Sequence, residues 1–366
     1  MRPILVLARS LGRHGGAERD TLKCIQAWCE QSREVHVAAA FCDKETIKLI
    51  QDWGVRWTHF ANIKRPVPIA QTMLARKLRA LHSAWKNSHP HGVAVCFDLL
   101  PNVGDIVVGP PPAHLWWNAQ RSVGRNPWRR PWMRLWEGFV EKKILEGTQK
   151  IVVFSEQAKR DYELLGIDPS RVQRVLLSVD LSYFHPPHPL PTKDEVLIIG
   201  NSPSFKGVDL ALLAWRHVAP QLPDLRLRIV CKPQSRAARL ARMEPQVTTS
   251  APVDDPRVYY HRARLVLTPS MYESWCNVVA EALACGLPVI TSQNVAASEL
   301  VQAPWLGKVM RRTPHLQADA RMLAKIMLAF LQDEEMLSPS MQQRRWEHMQ
   351  SVQKKVQNLL TWARSL

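Results

Sequence analysis

Residues Arg264–Thr291 read RLVLTPSMYESWCNVVAEALACGLPVIT, and this stretch decides the fold. Leu265–Leu267 is a short apolar run, the pattern of a strand buried on both faces. Thr268-Pro269-Ser270 ends it, because proline cannot extend a strand ladder. Glu273 falls in the turn, a helix is expected from about Ser274–Asn277, and Glu281 falls early in that helix. Cα–Cβ bonds lean toward a helix N-terminus, so Glu281 can reach back toward the crevice that Glu273 borders. Gly286 suits the helix C-cap, and Pro288 opens the next strand.

The same alternation of strand, loop and helix runs outward in both directions. Upstream, Glu195–Ile199 predicts a strand, Gly200–Gly207 a glycine-containing loop, Val208–Ala219 a helix and Leu225–Val230 a strand. Before them, Phe184–Pro191 (FHPPHPLP) interrupts both periodicities and reads as a linker. The first half repeats the theme. Pro3–Ala8, Val35–Phe41, Val55–Phe60, Val93–Phe97 and Ile151–Phe154 are strand-like, with helical stretches such as Ala17–Glu30 and Ile69–Asn87 between them. Two such halves imply an α/β protein of two Rossmann-like, doubly wound domains facing a central cleft. Residues 341–366 form a polar, Trp-bearing helix after the second domain.

The bulk numbers agree with two domains. A chain of 366 residues exceeds one ordinary core. Its 46% hydrophobic and 22% charged content is that of a globular protein. MRPILVLARS is too brief in apolar residues for a signal-peptide core, and no stretch reaches the ~20 apolar residues of a spanning helix. The expected location is the cytoplasm. Cys24, Cys29, Cys42, Cys96, Cys231, Cys276 and Cys285 include no CxxC pair, so buried free thiols are expected and no metal site.

The formal charge of +17 calls for an anionic partner. Residues 53–97 hold seven Lys/Arg and no acid, and residues 106–136 hold five Arg and no acid. The second block carries Trp116, Trp117, Trp128, Trp132 and Trp136, the last three at helical spacing with Arg129, Arg130 and Arg134 between. Such a 116–136 segment suits either an anionic membrane surface or a core-facing Trp stripe with a solvated basic face. Nucleic acid is not expected, since no element for base recognition is present.

The chemistry follows from the residue types. Ionised carboxylates only accept hydrogen bonds, so Glu273 and Glu281 suit sugar hydroxyls. A helix N-terminus between them offers N–H groups and a positive dipole end, which suits a pyrophosphate. A nucleotide sugar presents all of these features.

Arg264–Thr291 resembles the Glu-x7-Glu motif of retaining GT-B glycosyltransferases of family 4. Gly15-Gly16-Ala17-Glu18-Arg19 is similar to that family's N-terminal glycine loop, and Phe154–Phe184 to its interdomain segment. Within the family, Gly15–Asp20 and Phe97–Pro101 look most like the glucosyltransferases of lipopolysaccharide-core heptose. The resemblance implies an N-terminal acceptor domain over 1–184 and a nucleotide-sugar domain over 185–340. The helix 341–366 would pack back toward the first. Glu281 would hold the ribose and Glu273 the donor sugar, with the backbone of Asn277 and Val278 near the phosphates. Lys206 would neutralise the leaving pyrophosphate, with Lys232 as a second cation in the same crevice. Asp20 would lie near the reacting sugar. Gly15, Gly16 and Arg19 would form the sugar loop, and His114 is a loop candidate for general base or for a structural role. No cofactor and no metal are implied. The partners implied by the resemblance are a nucleotide sugar, UDP-linked, and an anionic glycolipid at the inner membrane. A non-catalytic polyanion-binding protein of the same fold is the alternative, as is a transferase of exopolysaccharide assembly.

Departures from the family pattern fall near the phosphate lysine, in the interdomain loop and after the first Glu. Asn201 and Phe205 stand where an arginine is usual, and Leu177-Ser178-Val179-Asp180 where Asn-Gly-Val-Asp is commoner. Trp275-Cys276 replaces the usual Phe-Gly. A charge-assisted hydrogen bond contributes roughly 1.5–3 kcal/mol, so a lost arginine would weaken donor binding about tenfold or more. Lys232 or Arg236 could compensate.

Overall fold

The computed structural model describes residues 1–12, 16–60, 67–97 (67–71 by backbone), 103–109, 149–177, 179–188, 193–355 and 357–366. Between 109 and 149 it also describes residues 112, 115, 118–119, 135, 138–139, 142–143 and 146–147.

The first unit takes residues 1–117, 126–178 and 356–366. Its described elements are β1 (Ile4–Leu11), α1 (Gly16–Glu30), β2 (Val35–Cys42), α2 (Lys44–Asp52), β3 (Arg56–His59), α3 (Val67–Ser88), β4 (Val93–Cys96), β5 (Ile106–Val108), β6 (Lys150–Val153), α4 (Glu156–Leu164) and β7 (Val172–Arg174). The seven strands order as β3-β2-β1-β4-β5-β6-β7, and every pair is parallel. β1 lies between β2 and β4, with Ile4 opposite both Val35 and Val93. Such strands are covered on both faces, which is why they read as unbroken apolar runs. On one face Leu5, Leu7, Ala38 and Cys96 pack with Leu74, Leu78 and Trp85 of α3.

The second unit takes residues 118–125 and 179–355. It contains β8 (Glu195–Ile199), α5 (Pro203–Lys206), α6 (Val208–Val218), β9 (Arg226–Val230), α7 (Arg236–Ala241), β10 (Val247–Ser250), α8 (Arg257–Arg262), β11 (Ala263–Thr268), α9 (Asn277–Ala284), β12 (Val289–Ser292), β13 (Gly307–Met310), α10 (Leu316–Leu331), α11 (Glu334–Leu337) and α12 (Pro339–Lys355). Its sheet orders as β10-β9-β8-β11-β12-β13, again wholly parallel. Counted from β8, this is the 3-2-1-4-5-6 order of a dinucleotide-type domain. The direction of winding reverses between β8 and β11, and that is where such sheets bind ligands, outside the carboxyl ends of the strands.

Two boundaries differ from expectation. The first unit ends near residue 178, not 184, because Tyr183 and Phe184 pack on α8. Phe184 meets the Tyr260 ring edge-on, with centroids 5.9 Å apart. The expected single helix over 341–366 is two helices. The first, α12, stays with the second unit, and α13 (Leu359–Ser365) docks on the first. There the buried Trp28 of α1 donates its indole N–H to the Ala363 carbonyl at 2.7 Å, and Leu359 N–H bonds Leu176 O at 2.8 Å. All seven cysteines are free, but only four are buried; Cys29, Cys42 and Cys276 are half-buried. Among the described residues no helix is long and apolar enough to cross a membrane.

Candidate active site at the reversal point of the second sheet

Three loops leave the carboxyl edge of the second sheet side by side. They follow β8, β9 and β11, whose last residues are Ile199, Val230 and Thr268. The first loop is shaped by two glycines. Gly207 has φ +73, and a Cβ there would stand 2.4 Å from the Pro269 carbonyl oxygen. Only glycine allows the β8 loop to press on the turn after β11 at this point. A hydrogen bond from Met271 N–H to Phe205 O at 2.9 Å joins the same two loops. Gly200 has no room for a side chain either, since its Cβ would meet the Lys206 stem at 2.7 Å. The close packing of 200 against 206 sets the direction of the lysine.

Lys206 Nζ meets Glu273 Oε2 at 2.6 Å, and Ser270 Oγ donates to Glu273 Oε1 at 2.5 Å. Each carboxylate oxygen thus has its own donor. Glu273 is 13% exposed at its side chain and Lys206 35%. Burial alone would lower the Lys206 ammonium, but the charge and hydrogen bond of Glu273 outweigh it and hold the group above its ordinary value. Lys206 is therefore a cation across the neutral range. The Glu273 backbone is fixed too, with its N–H on Asn294 O and its carbonyl accepting from Ala296 N–H, each at 3.0 Å. Behind the turn, the buried Arg312 donates to the Pro269 carbonyl and pairs with Asp319 at 3.3 Å.

Helix α9 starts at Asn277 and carries Glu281 at mid-length. Glu281 is 6% exposed and accepts a hydrogen bond of 2.6 Å from the fully buried Tyr260 hydroxyl. The helix closes in a Schellman motif: Gly286 N–H bonds Leu283 O and Leu287 N–H bonds Ala282 O, with Gly286 at φ +77. Asn277 and Val278 occupy the first two helical positions, both half-buried. Cys276 sits at the N-cap, within electrostatic reach of Glu273, Lys206 and Glu281. Burial, with Glu273 and Glu281 adding to it, pushes its thiol well up, so it stays protonated.

Cys276 holds φ 120° and ψ 88°, a conformation that glycine adopts easily and a side chain does not. Cys276 stands where the resembling family usually has glycine, and its backbone takes a conformation suited to glycine. Strain of this kind amounts to roughly 1–3 kcal/mol. Cys276→Gly is therefore expected to stabilise the protein by about 1 kcal/mol, after subtraction of glycine's greater unfolded-state freedom. A urea-unfolding series reads this directly, and a lower midpoint for the variant would contradict it.

The remaining candidates fall in different places. Asn201, where an arginine is usual, accepts the Lys232 backbone N–H at 2.6 Å and so ties the β8 and β9 loops together. The Lys232 side chain is exposed, as is Arg236 at the start of α7. Asp20 is buried on α1 of the first unit, with Lys23 Nζ at 3.8 Å. Arg19 follows on the same helix, half-buried, and Gly16 opens it. Gly15, His114 and the tryptophans and arginines of the 116–136 segment lie outside the described residues. Ser270, Arg312 and Tyr260 went unread in the sequence. Ser270 alone had a local signal, three residues before Glu273.

Residues 193–333 match the family model described as Glycosyl transferases group 1. The chain is 27% identical over 179 residues to D-inositol 3-phosphate glycosyltransferase 2 of Catenulispora acidiphila, covering 42% of each protein. It is 29% identical over 175 residues to D-inositol 3-phosphate glycosyltransferase of Rhodococcus erythropolis, covering 42% of this chain and 40% of that protein. The chain thus spans about two fifths of the length of the curated relatives it matches. Its fold is that of WaaG, a glycosyltransferase involved in lipopolysaccharide biosynthesis, with a TM-score of 0.77 at 15% identity over 99% of this chain and 98% of that one. It is also that of Anabaena HepE in complex with UDP and glucose, with a TM-score of 0.69 at 15% identity over 100% and 98%. Both units therefore have the Rossmann-like architecture of the halves of a GT-B fold.

Proposed function

We propose that this chain is a retaining glycosyltransferase moving a hexose, glucose in the first instance, from a UDP-linked sugar to an anionic membrane glycolipid of the lipopolysaccharide-core type. One observation carries the donor half of the reading. At the reversal point of a 3-2-1-4-5-6 sheet, a cation (Lys206) and two carboxylates (Glu273, Glu281) flank one helix N-terminus. In such a site the nucleoside diphosphate leaves as negative charge builds on its phosphates. Lys206 and the α9 dipole would stabilise that charge, and such stabilisation is the largest single contribution a protein makes to reactions of this kind. Glu273 would exchange its hold on Lys206 for the hydroxyls of the sugar. Glu281 would receive the ribose.

The acceptor half rests on charge. The net +17 and the acid-free stretches 53–97 and 106–136 in the first half favour a polyanionic acceptor at a phosphate-rich surface. A phosphorylated small acceptor, such as the names of the sequence relatives suggest, satisfies the same charge.

The donor claim is tested by thermal unfolding with UDP, GDP and their glucose conjugates. A ligand at 100 times its dissociation constant adds about 2.7 kcal/mol to stability, and Glu281→Ala, by weakening the nucleotide about tenfold, is expected to shrink that shift by about 1.4 kcal/mol in a protein that still folds. If no nucleotide raises the midpoint of the unaltered protein, the enzyme reading fails and a polyanion-binding role replaces it. Incubation of UDP-glucose with extracted core glycolipid or with inositol 3-phosphate then separates the two acceptors by which one releases UDP.

A further inference from the structure

Tyr260 has no part in the roles assigned so far, yet its hydroxyl bonds the Glu281 carboxylate. It lies on α8, fully buried, with its hydroxyl 2.6 Å from Glu281 Oε2. Its ring is held from the side by Phe184, edge-on at 82°. The preceding residue, Tyr183, is locked in turn to the start of α8. Tyr183 Oη donates to Asp255 at 2.8 Å, and the Arg257 guanidinium lies 3.9 Å from the Tyr183 ring centroid. Arg257 closes the lock with bonds from Nε at 2.9 Å and Nη2 at 2.8 Å to Asp255.

The chemistry of the contact is one-directional. A phenol facing a carboxylate can only donate. Burial and the neighbouring Glu281 charge push the Tyr260 hydroxyl well above its ordinary value, so the proton stays on the phenol at any working pH. Phenylalanine would fill the same volume without bringing a polar group into the interior, where unpaired polar groups are costly. The hydroxyl therefore acts through what it does to Glu281. A carboxylate on a helix has several χ rotamers, and a fixed donor on Oε2 favours those that keep the bond.

We infer that Tyr260 is the positioning residue that orients the Glu281 carboxylate toward the ribose, and that it thereby sets the preference of the site for ribonucleotides over deoxyribonucleotides. This rests on the donor reading above, in which Glu281 receives the ribose hydroxyls.

The test compares binding of UDP and 2′-deoxy-UDP by calorimetry, with GDP and 2′-deoxy-GDP as the second pair. The unaltered protein should favour the ribonucleotide about tenfold, the worth of one charge-assisted hydrogen bond. In Glu281→Ala the ratio should fall to about one, and in Tyr260→Phe to below about threefold. Folding of Tyr260→Phe is checked by its melting curve. A merely structural tyrosine would lower the midpoint and leave the ratio alone. The double variant adds a second arm: Tyr260→Phe should change nothing further once Glu281 is alanine, and additive losses would overturn the coupling. A ratio unchanged in Tyr260→Phe overturns the inference while the donor site stands. A protein that binds neither member of either pair removes the donor reading and this inference with it.

Discussion

Lys206→Ala is expected to lower sugar transfer by roughly 10²–10³-fold, since loss of one charged donor aimed at developing negative charge has about that effect. The loss should fall mainly on kcat. In the free protein the ammonium is already engaged by Glu273 at 2.6 Å, so ground-state binding of phosphate competes with an existing ion pair. Charge that builds only as the bond breaks has no such competitor. The variant should still fold, because Ser270 continues to hold the other Glu273 oxygen and Asn294 O the Glu273 backbone N–H. Lys232→Ala provides the contrast. Its side chain is exposed and its loop is held through the backbone bond to Asn201, so turnover should change less than about fivefold. Gly200→Ala should reproduce much of the Lys206 defect with the lysine still present, because the new Cβ would displace the Lys206 stem. Steady-state turnover of UDP-glucose across the three variants decides the matter. Equal losses for Lys206 and Lys232 would mean that the cation is supplied by general surface charge.

The ease with which this site could be read in the sequence varied with the distance of the partners along the chain. β8, β9, β11 and β12 were legible because central parallel strands are buried on both faces and leave continuous apolar runs. β10 (VTTS) and β13 (GKVM) lie at the sheet edges, half-wet and short, and carry no such run. β5 and β7 are three residues each, too brief to show a period. The Glu273–Glu281 pair stood out because strand, turn, helix and cap are contiguous. Tyr260 did not, since its bond spans 21 residues and a tyrosine before a strand looks like core. The backbone at Cys276 was half legible: a residue replacing a usual glycine signals either a changed turn or a strained one, and the positive φ shows that it is strained. The C-terminal region misled for a physical reason. A polar helical period continues past the break at 357–358, where Asn358 caps a new helix through its side chain on Thr361 N–H at 2.9 Å.

Arg345→Met is expected to destabilise the second unit by about 3 kcal/mol, the larger of the stability effects foreseen here. Arg345 is fully buried on α12, and its guanidinium donates to three carbonyls: Trp305 O at 2.6 Å, Met336 O at 2.8 Å and Gly286 O at 3.1 Å. Burial lowers it to about 10, so it remains charged at neutral pH. Methionine would keep most of the stem volume and relieve the desolvation of a cation, which alone would favour the variant. Against this, three buried carbonyls lose their donor, at roughly 1–3 kcal/mol each. The second effect wins because the carbonyls have no easy route to water: Gly286 lies so close to α12 that a Cβ there would stand 2.7 Å from Gln342 O. Arg345→Lys should recover only part of the loss, since one ammonium cannot serve three acceptors that a planar fork reaches together. The consequence extends to function, because Gly286 caps the helix that carries Glu281. With two units in the chain, urea unfolding should be followed by probes specific to each. The transition of the second unit should move to lower urea and that of the first stay in place. If the proposed donor site holds, nucleotide at saturation should recover part of the shift, since it would bind the same helix from its other end. An unmoved second transition would show that the carbonyls find other donors and that α12 is held without its arginine.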